Sequence, residues 1–353
     1  MRQSVDASRF GGPIVSEKTT TKRASTSRAG KKTTTRAKGS AQATSTPPDG
    51  RELVLVTGAS GGLGRLLCKR LHRSHAVIAV DHRPFPDRPK DVEHHRLDLR
   101  RKSAYDVLKK KRPRAIVHMG GFHNPQSDEA YHSSLEVTSQ LLRFAEQVGI
   151  PKLVLLSTAN LYGPSATSSG FLTEEAPLLA AGRSPEVRDL IAVDMMVQSF
   201  FWKRPEIETV ILRPVHIVGP HLKNAPSKYL RLRRIPSMLG FDPMVQLIHE
   251  TDAADAIIAS LKPGIRGVFN ITGPGQAPLS RLVRVTGHPQ MPVPGPIFEA
   301  VLERLFKFHL TNFPATELDH LRYSCLVDGS RATTALGISP RRGLRETVLD
   351  IGN

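Results

Sequence analysis

Five short apolar runs mark the first two-thirds of the chain: ELVLVTG (52–58), AVIAVD (76–81), AIVHMGG (115–121), KLVLLST (152–158) and TVILRP (209–214). They are rich in Val, Ile and Leu and do not alternate strictly with polar residues, as expected of parallel strands covered on both faces. Helical patterns fall between them, over 63–73, 104–111, 129–148 and 185–202. This rhythm predicts an α/β fold with a Rossmann-type doubly wound parallel sheet, whose ligands bind at the C-terminal ends of the strands. A later segment, PGPIFEAVLERLFKFHL (294–310), predicts an amphipathic helix with Ile297, Phe298, Val301, Leu302, Leu305 and Phe306 on one broad face. Such a face suits packing inside the protein, a lipid surface or a dimer contact. No internal repeat is visible.

Composition divides the chain differently. With 353 residues, 39% of them hydrophobic, it can build one large or two smaller cores. Residues 1–50 lack that capacity. They are Ser, Thr, Ala, Lys and Arg with few apolar side chains, and carry ten basic against three acidic residues, +7 of the total +18. The expectation is a disordered basic tail. Its charge suits nonspecific contact with nucleic acid or an anionic surface, or serves only solubility, since no aromatic residue interleaves the basic run over 16–47 to stack on bases. Cys68 and Cys325 are far apart and form no CxxC pair, which suits a reducing, cytoplasmic compartment. Neither His94-His95 nor His118 with His123 has a second half at metal-ligand spacing, so no metal site is expected. No apolar run approaches the ~20 residues of a membrane span.

The first apolar run leads into TGASGGLGRLLCKRL, which places Gly58, Gly61 and Gly64 between a strand and a helix. In that setting the glycines permit a tight turn, close approach of a pyrophosphate to the backbone, and close helix–strand packing, with the phosphates at the helix N-terminus. Asp81 ends the next strand. A carboxylate there accepts from ribose hydroxyls and repels a 2′-phosphate, which favours NAD(H) over NADP(H), although Arg83 follows two positions later. Asp98 and Leu99, after EHHR (93–96), end a further strand, the third in chain order. Asp98 suits either the adenine edge or the N-cap of the following helix.

TGASGGLG, VDHR, LDL, IVHMGG, LLSTANLYGP and ILRPVHIVGP occur in this order. With them the chain resembles the extended short-chain dehydrogenase/reductase family, and within it the NAD-dependent epimerase/dehydratase group, over about residues 52–350. The resemblance implies an NAD-binding Rossmann domain over 51–215. It also implies a mainly substrate-binding C-terminal portion over 216–353, small, holding a substrate that is often a nucleotide-sugar, with some segments returning to the core. It implies cofactor contacts at Gly58, Ser60, Gly61, Gly62, Leu63, Gly64, Asp81, Asp98, Leu99, Met119, Gly120 and Gly121. The implied chemistry is hydride transfer at the nicotinamide, with a tyrosinate as base, a lysine that lowers its pKa, and a Ser/Thr hydroxyl that orients the substrate oxygen. Thr158 stands at the Ser/Thr position.

The tyrosine and lysine are missing. SPEVRDLIAVD (184–194) aligns with the family's helix and puts Glu186 at the tyrosine, Leu190 at the lysine and Asp194 at the closing acid. No Tyr or Lys occurs anywhere from 163 to 202, so no shift of register restores the pair. Ala159-Asn160 replaces the acidic pair of the dehydratases, and His216 stands where asparagine is common. Two readings stay open. One is an NAD-dependent, epimerase-like oxidoreductase with an atypical site, in which Thr158 and Glu186 are the catalytic candidates. The other is an inactive NAD-binding regulator or scaffold. Later in the chain, LIHETDAADA predicts a helix capped by Thr251 or Asp252. KYLRLRRIP (228–236) offers Tyr229, Arg231, Arg233 and Arg234 to phosphates, either of nucleic acid or of a nucleotide-sugar. The family also pairs as a homodimer through helices that include 185–202.

Overall fold

A computed structural model describes residues 50–119, 128–166, 170–182, 185–298, 300 and 319–352; at 128–133, 182 and 185–186 it describes the backbone alone. The basic tail before Gly50 and most of the 294–310 helix lie outside the described residues.

Seven parallel strands form the main sheet: β1 (Leu53–Thr57), β2 (Ala76–Asp81), β3 (Glu93–Arg96), β4 (Ala115–His118), β5 (Lys152–Leu156), β6 (Glu208–Pro214) and β10 (Gly267–Ile271). Their order is β10-β6-β5-β4-β1-β2-β3, so the chain reverses direction across the sheet at β1 and β4. Side chains of a strand point to alternate faces, and here the two faces are both buried. Val54, Val56, Val77, Ala79, Val117, Val154 and Leu212 pack on one side with Leu63, Leu67 and Leu71 of α1 (Gly62–Leu71) and Ile257 of α6 (Glu250–Ser260). Leu55, Ile78, Val80, Ile116, Leu153, Leu155 and Ile211 pack on the other. Their partners there come from α2 (Lys102–Lys109), α3 (Asp128–Val148) and α4 (Pro185–Lys203). Two covered faces explain why the strands read as continuous apolar runs.

The other described residues form short elements: β7 (His216–Val218), α5 (Ala225–Leu230), β8 (Ile235–Met238), β9 (Met244–His249), β11 (Gln276–Pro278), α7 (Leu279–Thr286), β12 (Gln290–Val293), α8 (Ser330–Leu336) and α9 (Leu344–Asp350). β7, β9 and β11 form a three-stranded sheet, and β8 pairs with β12. The N-cap of α6 is His249, not Thr251 or Asp252. Its Nδ1 accepts the Thr251 amide at 3.2 Å, so an imidazole does the work expected of a hydroxyl or carboxylate.

A buried polar group ties the C-terminal end of the sheet together. Arg213 on β6 is 1% exposed, and its Nη2 and Nε donate to Asp194 of α4 at 2.7 and 3.1 Å. Asp194 also accepts from Ser157 Oγ (2.5 Å) and Gln198 Nε2 (2.7 Å). Arg213 Nη1 donates to Tyr162 Oη (2.9 Å), which donates to Asn270 Oδ1 of β10 (2.8 Å). Replacing Arg213 by Met strands a buried carboxylate and should cost about 3–5 kcal/mol, measured by urea unfolding. Adding Asp194→Leu to that variant should recover most of the loss; a double variant as unstable as the single one would refute the pairing as the cause.

Candidate functional site

The reversal point of a doubly wound sheet leaves a crevice at the strand ends. Here the glycine turn lines it. Gly58 has φ +70°, a region that side chains with a Cβ rarely occupy, and a Cβ there would also stand 3.0 Å from Met119 O at the end of β4. At Gly64 a Cβ would drive into the Gly58 carbonyl, so only glycine lets α1 lie this close to β1. The N-cap of α1 is Gly61, which offers no side chain to the first amides, and the first turn carries no acidic residue. Such a helix start presents N–H groups and a positive dipole end to an anion.

Ser60, Gly62 and Leu63 stand in this turn with the three glycines, and Met119 is buried below it; Gly120 and Gly121 lie outside the described residues. His118 closes the floor, with Nδ1 at 2.7 Å from Thr57 Oγ1 and Nε2 at 3.0 Å from Thr138 Oγ1.

Asp81 and Asp98 share one arrangement. Asp81 accepts from Ser60 N (3.0 Å) and Arg83 N (2.9 Å), and the Arg83 guanidinium reaches both its oxygens, Nε to Oδ1 and Nη2 to Oδ2, each at 3.2 Å. Burial pushes this carboxyl up, but Arg83 and the two amides outweigh it and hold Asp81 below the usual carboxylate range. Asp98 accepts from Arg100 N (3.0 Å) and from Arg100 Nε and Nη2 (3.0 and 2.9 Å). It does not cap α2, whose N-cap residue is Arg101. The neighbouring guanidinium competes for the carboxylate that would have reached the helix. Leu99 is buried beside it.

The loop after β7 forms another wall. His221 O and Leu222 Cδ2 stand 2.9 and 3.0 Å from where a Cβ on Gly62 would be. Arg231 holds this loop by donating to Gly219 O (2.9 Å), Pro220 O (2.9 Å) and Leu222 O (2.8 Å), and also to Ile351 O (2.8 Å). Tyr229 donates to Pro236 O at 2.6 Å. Both residues are therefore committed to backbone carbonyls, which corrects the expectation that they contact phosphates. Of that basic run, Arg233 and Arg234 stay exposed. Glu250 is buried with His221 Nδ1 on Oε1 and no partner on Oε2.

Thr158 follows β5. Its Oγ1 accepts the Asn160 amide at 3.2 Å and caps the 3₁₀ turn Ala159–Tyr162. A hydroxyl that accepts one amide keeps its own proton to donate. Tyr162 is not an alternative base: burial pushes its hydroxyl up despite Arg213, and both its hydrogen bonds go to the core. Glu186 occupies the first turn of α4, and its side chain lies outside the described residues. Leu190 packs with Leu161, Ala180 and Ile191, so that position supplies an apolar contact and no cation. His216 meets His320 edge-on, with ring centroids 4.9 Å apart. Among the described residues no group of three or more His, Cys, Asp or Glu could hold a metal ion, and no helix is long and apolar enough to cross a membrane.

The sequence profile of the NAD dependent epimerase/dehydratase family matches residues 54–272. An uncharacterized protein of Mycobacterium tuberculosis (strain ATCC 25618 / H37Rv) is 29% identical over 306 residues, covering 83% of this chain and 81% of that protein. The UDP-glucose 4-epimerase of Bacillus subtilis (strain 168) is 24% identical over 338 residues, covering 84% of this chain and 95% of the enzyme. Among solved structures, dTDP-glucose 4,6-dehydratase from Bacillus anthracis in complex with NAD superposes with TM-score 0.67 at 19% identity, covering 85% of this chain and 95% of that one. UDP-glucuronic acid 4-epimerase from Bacillus cereus in complex with NAD gives TM-score 0.66 at 19% identity, over 84% and 96%. At these identities the superpositions establish the fold.

The Asp81 contacts set an acid dependence. Because the folded carboxyl lies below its unfolded value of about 3.9, it contributes stability above that pH and loses it as pH falls through the folded value. Arg83→Gln leaves burial less opposed and raises the folded value. Urea midpoints measured from pH 7 to 3 should begin to fall at higher pH in the variant; identical curves would show that Arg83 does not hold Asp81 ionised.

Proposed function

Because the chain belongs to the NAD dependent epimerase/dehydratase family, we propose that it binds NAD in the crevice at the ends of β1 and β4. There it would act as an epimerase-like oxidoreductase on a nucleotide-sugar, with weakened proton chemistry. The glycine turn carries the reading: its conformation, the side-chain-free approach at Gly61 and the uncapped start of α1 fit a pyrophosphate. Asp81, Asp98, Leu99 and Met119 border the adenosine and central parts of the same crevice. NAD, when bound, supplies a hydride acceptor and donor. The chain's own part is to orient the substrate hydroxyl and handle its proton.

Thr158 is placed to orient that hydroxyl, since its oxygen is fixed by the Asn160 amide while its hydrogen can point outward. Glu186 is the candidate for the proton. A carboxylate in the first turn of a helix is stabilised as the anion by the dipole and is a weak base there. The missing lysine is not replaced at Leu190, whose neighbours are apolar. Turnover should therefore be slow. That same apolar packing favours the second reading, an NAD-binding protein that regulates or scaffolds without turnover.

Absorbance of bound NADH, followed in stopped flow against UDP-glucose and UDP-glucuronic acid, separates the two. Slow hydride exchange is expected, abolished in Glu186→Gln while NAD binding persists. Exchange unchanged in that variant removes Glu186 from the mechanism, and no exchange in the wild type favours the regulator.

We also infer that two copies pair across α4. Met195 and Trp202, one heptad apart on α4, are 57% and 78% exposed, large apolar surface for a helix to leave in water. Light scattering should return twice the chain mass, and Trp202→Glu should return the monomer; a monomeric wild type would end this idea.

A further inference from the structure

We propose that Arg83 equips the crevice to take a 2′-phosphorylated dinucleotide, NADP(H), as well as NAD(H). The proposal rests on the dinucleotide reading above. It starts from the accounting at Asp81. An ionised carboxylate has about four lone-pair sites. Four donors already use them: the amides of Ser60 and Arg83, and Nε and Nη2 of Arg83. His82 Nδ1 stands 3.4 Å from Oδ1 as well. A ribose diol can reach this carboxylate only by displacing the Arg83 side chain. The carboxylate is therefore not the bare anion that rejects a 2′-phosphate.

Arg83 is also where such a phosphate would need a cation. Its Nη2 lies 3.7 Å from where a Cβ on Gly61 would stand, so the guanidinium lies against the glycine turn itself. Its side chain is 43% exposed while Asp81 is 1% exposed, so the arginine can turn outward and the carboxylate cannot follow. A guanidinium exchanging a carboxylate for a phosphate keeps a bidentate, charge-assisted partner. Asp81 meanwhile keeps two backbone amides. With NAD the exchange is less favourable, because neutral ribose hydroxyls would replace a guanidinium on the carboxylate.

The surroundings agree. Asp98, the other acid at these strand ends, is held by Arg100 in the same Asp-x-Arg geometry. Arg65 Nε lies on Ser60 O, and Arg96 Nε lies on His82 O. Neither strand-end carboxylate presents uncompensated negative charge to an incoming phosphate.

Calorimetric titration of the full chain with NAD⁺ and NADP⁺ tests the assignment, with Arg83→Gln and Arg100→Gln as variants and melting temperature as the check on folding. In the wild type the two dissociation constants should agree within about tenfold. Arg83→Gln should weaken NADP⁺ by about tenfold or more, as expected for loss of one charge-assisted phosphate contact, while NAD⁺ binds as tightly or more tightly, since its ribose diol no longer has a guanidinium to displace. Arg100→Gln, further from the turn, should leave the ratio unchanged. A wild type favouring NAD⁺ by more than about tenfold overturns the proposal, as does an Arg83→Gln that weakens both alike or neither. Binding of NAD⁺ alone withdraws only this inference; binding of neither dinucleotide withdraws the reading on which it rests.

Discussion

A guanidinium sealed from water must find its partners within the protein, and Arg213 finds them on several segments at once. Asp194 brings α4, Tyr162 brings the turn after β5, and a 3.2 Å bond to Glu174 O brings the strap beyond that turn. Asn270 extends the group to β10 and accepts no alternative, since its amide side chain also donates to Leu172 O at 3.1 Å. Removing one member leaves a buried charge, so the group is kept whole or lost. The positions of Thr158 and of the helix bearing Glu186 and Leu190 follow from it.

That dependence accounts for a fold that persists without the tyrosine and lysine that the family resemblance implies. The residues fixing the strand end are buried, whereas the positions that align with the family's tyrosine and lysine lie on the first two turns of α4. Leucine at 190 gains packing with Leu161 and Ile191.

The central strands were legible because burial on both faces writes itself as an apolar run. β3 was harder: EHHR has exposed ends and half-buried histidines, as an edge strand can. β10 lies in the C-terminal portion, of which some segments were expected to return to the core without this one being named. Its place beside β6 depends on contacts between residues more than 50 positions apart, which no local pattern records. Glycines at the turn were legible because backbone conformation restricts residue type. Arg231 was misread because the donors that suit a phosphate suit carbonyl oxygens equally, and only the tertiary fold decides which are near. Arg213 left one signal, a lone charge inside the apolar run TVILRP. The missing tyrosine and lysine were visible from sequence because their spacing is fixed along one helix.

The Arg231 clamp has a consequence for how this crevice can change over time. Three carbonyls of the loop beside the glycine turn converge on one side chain, which also holds residue 351. Insertions or deletions within 219–222 would misplace acceptors that a single planar fork must meet together. Variation in what the crevice admits is thereby steered away from this lip, toward side chains that can be exchanged singly without moving the backbone.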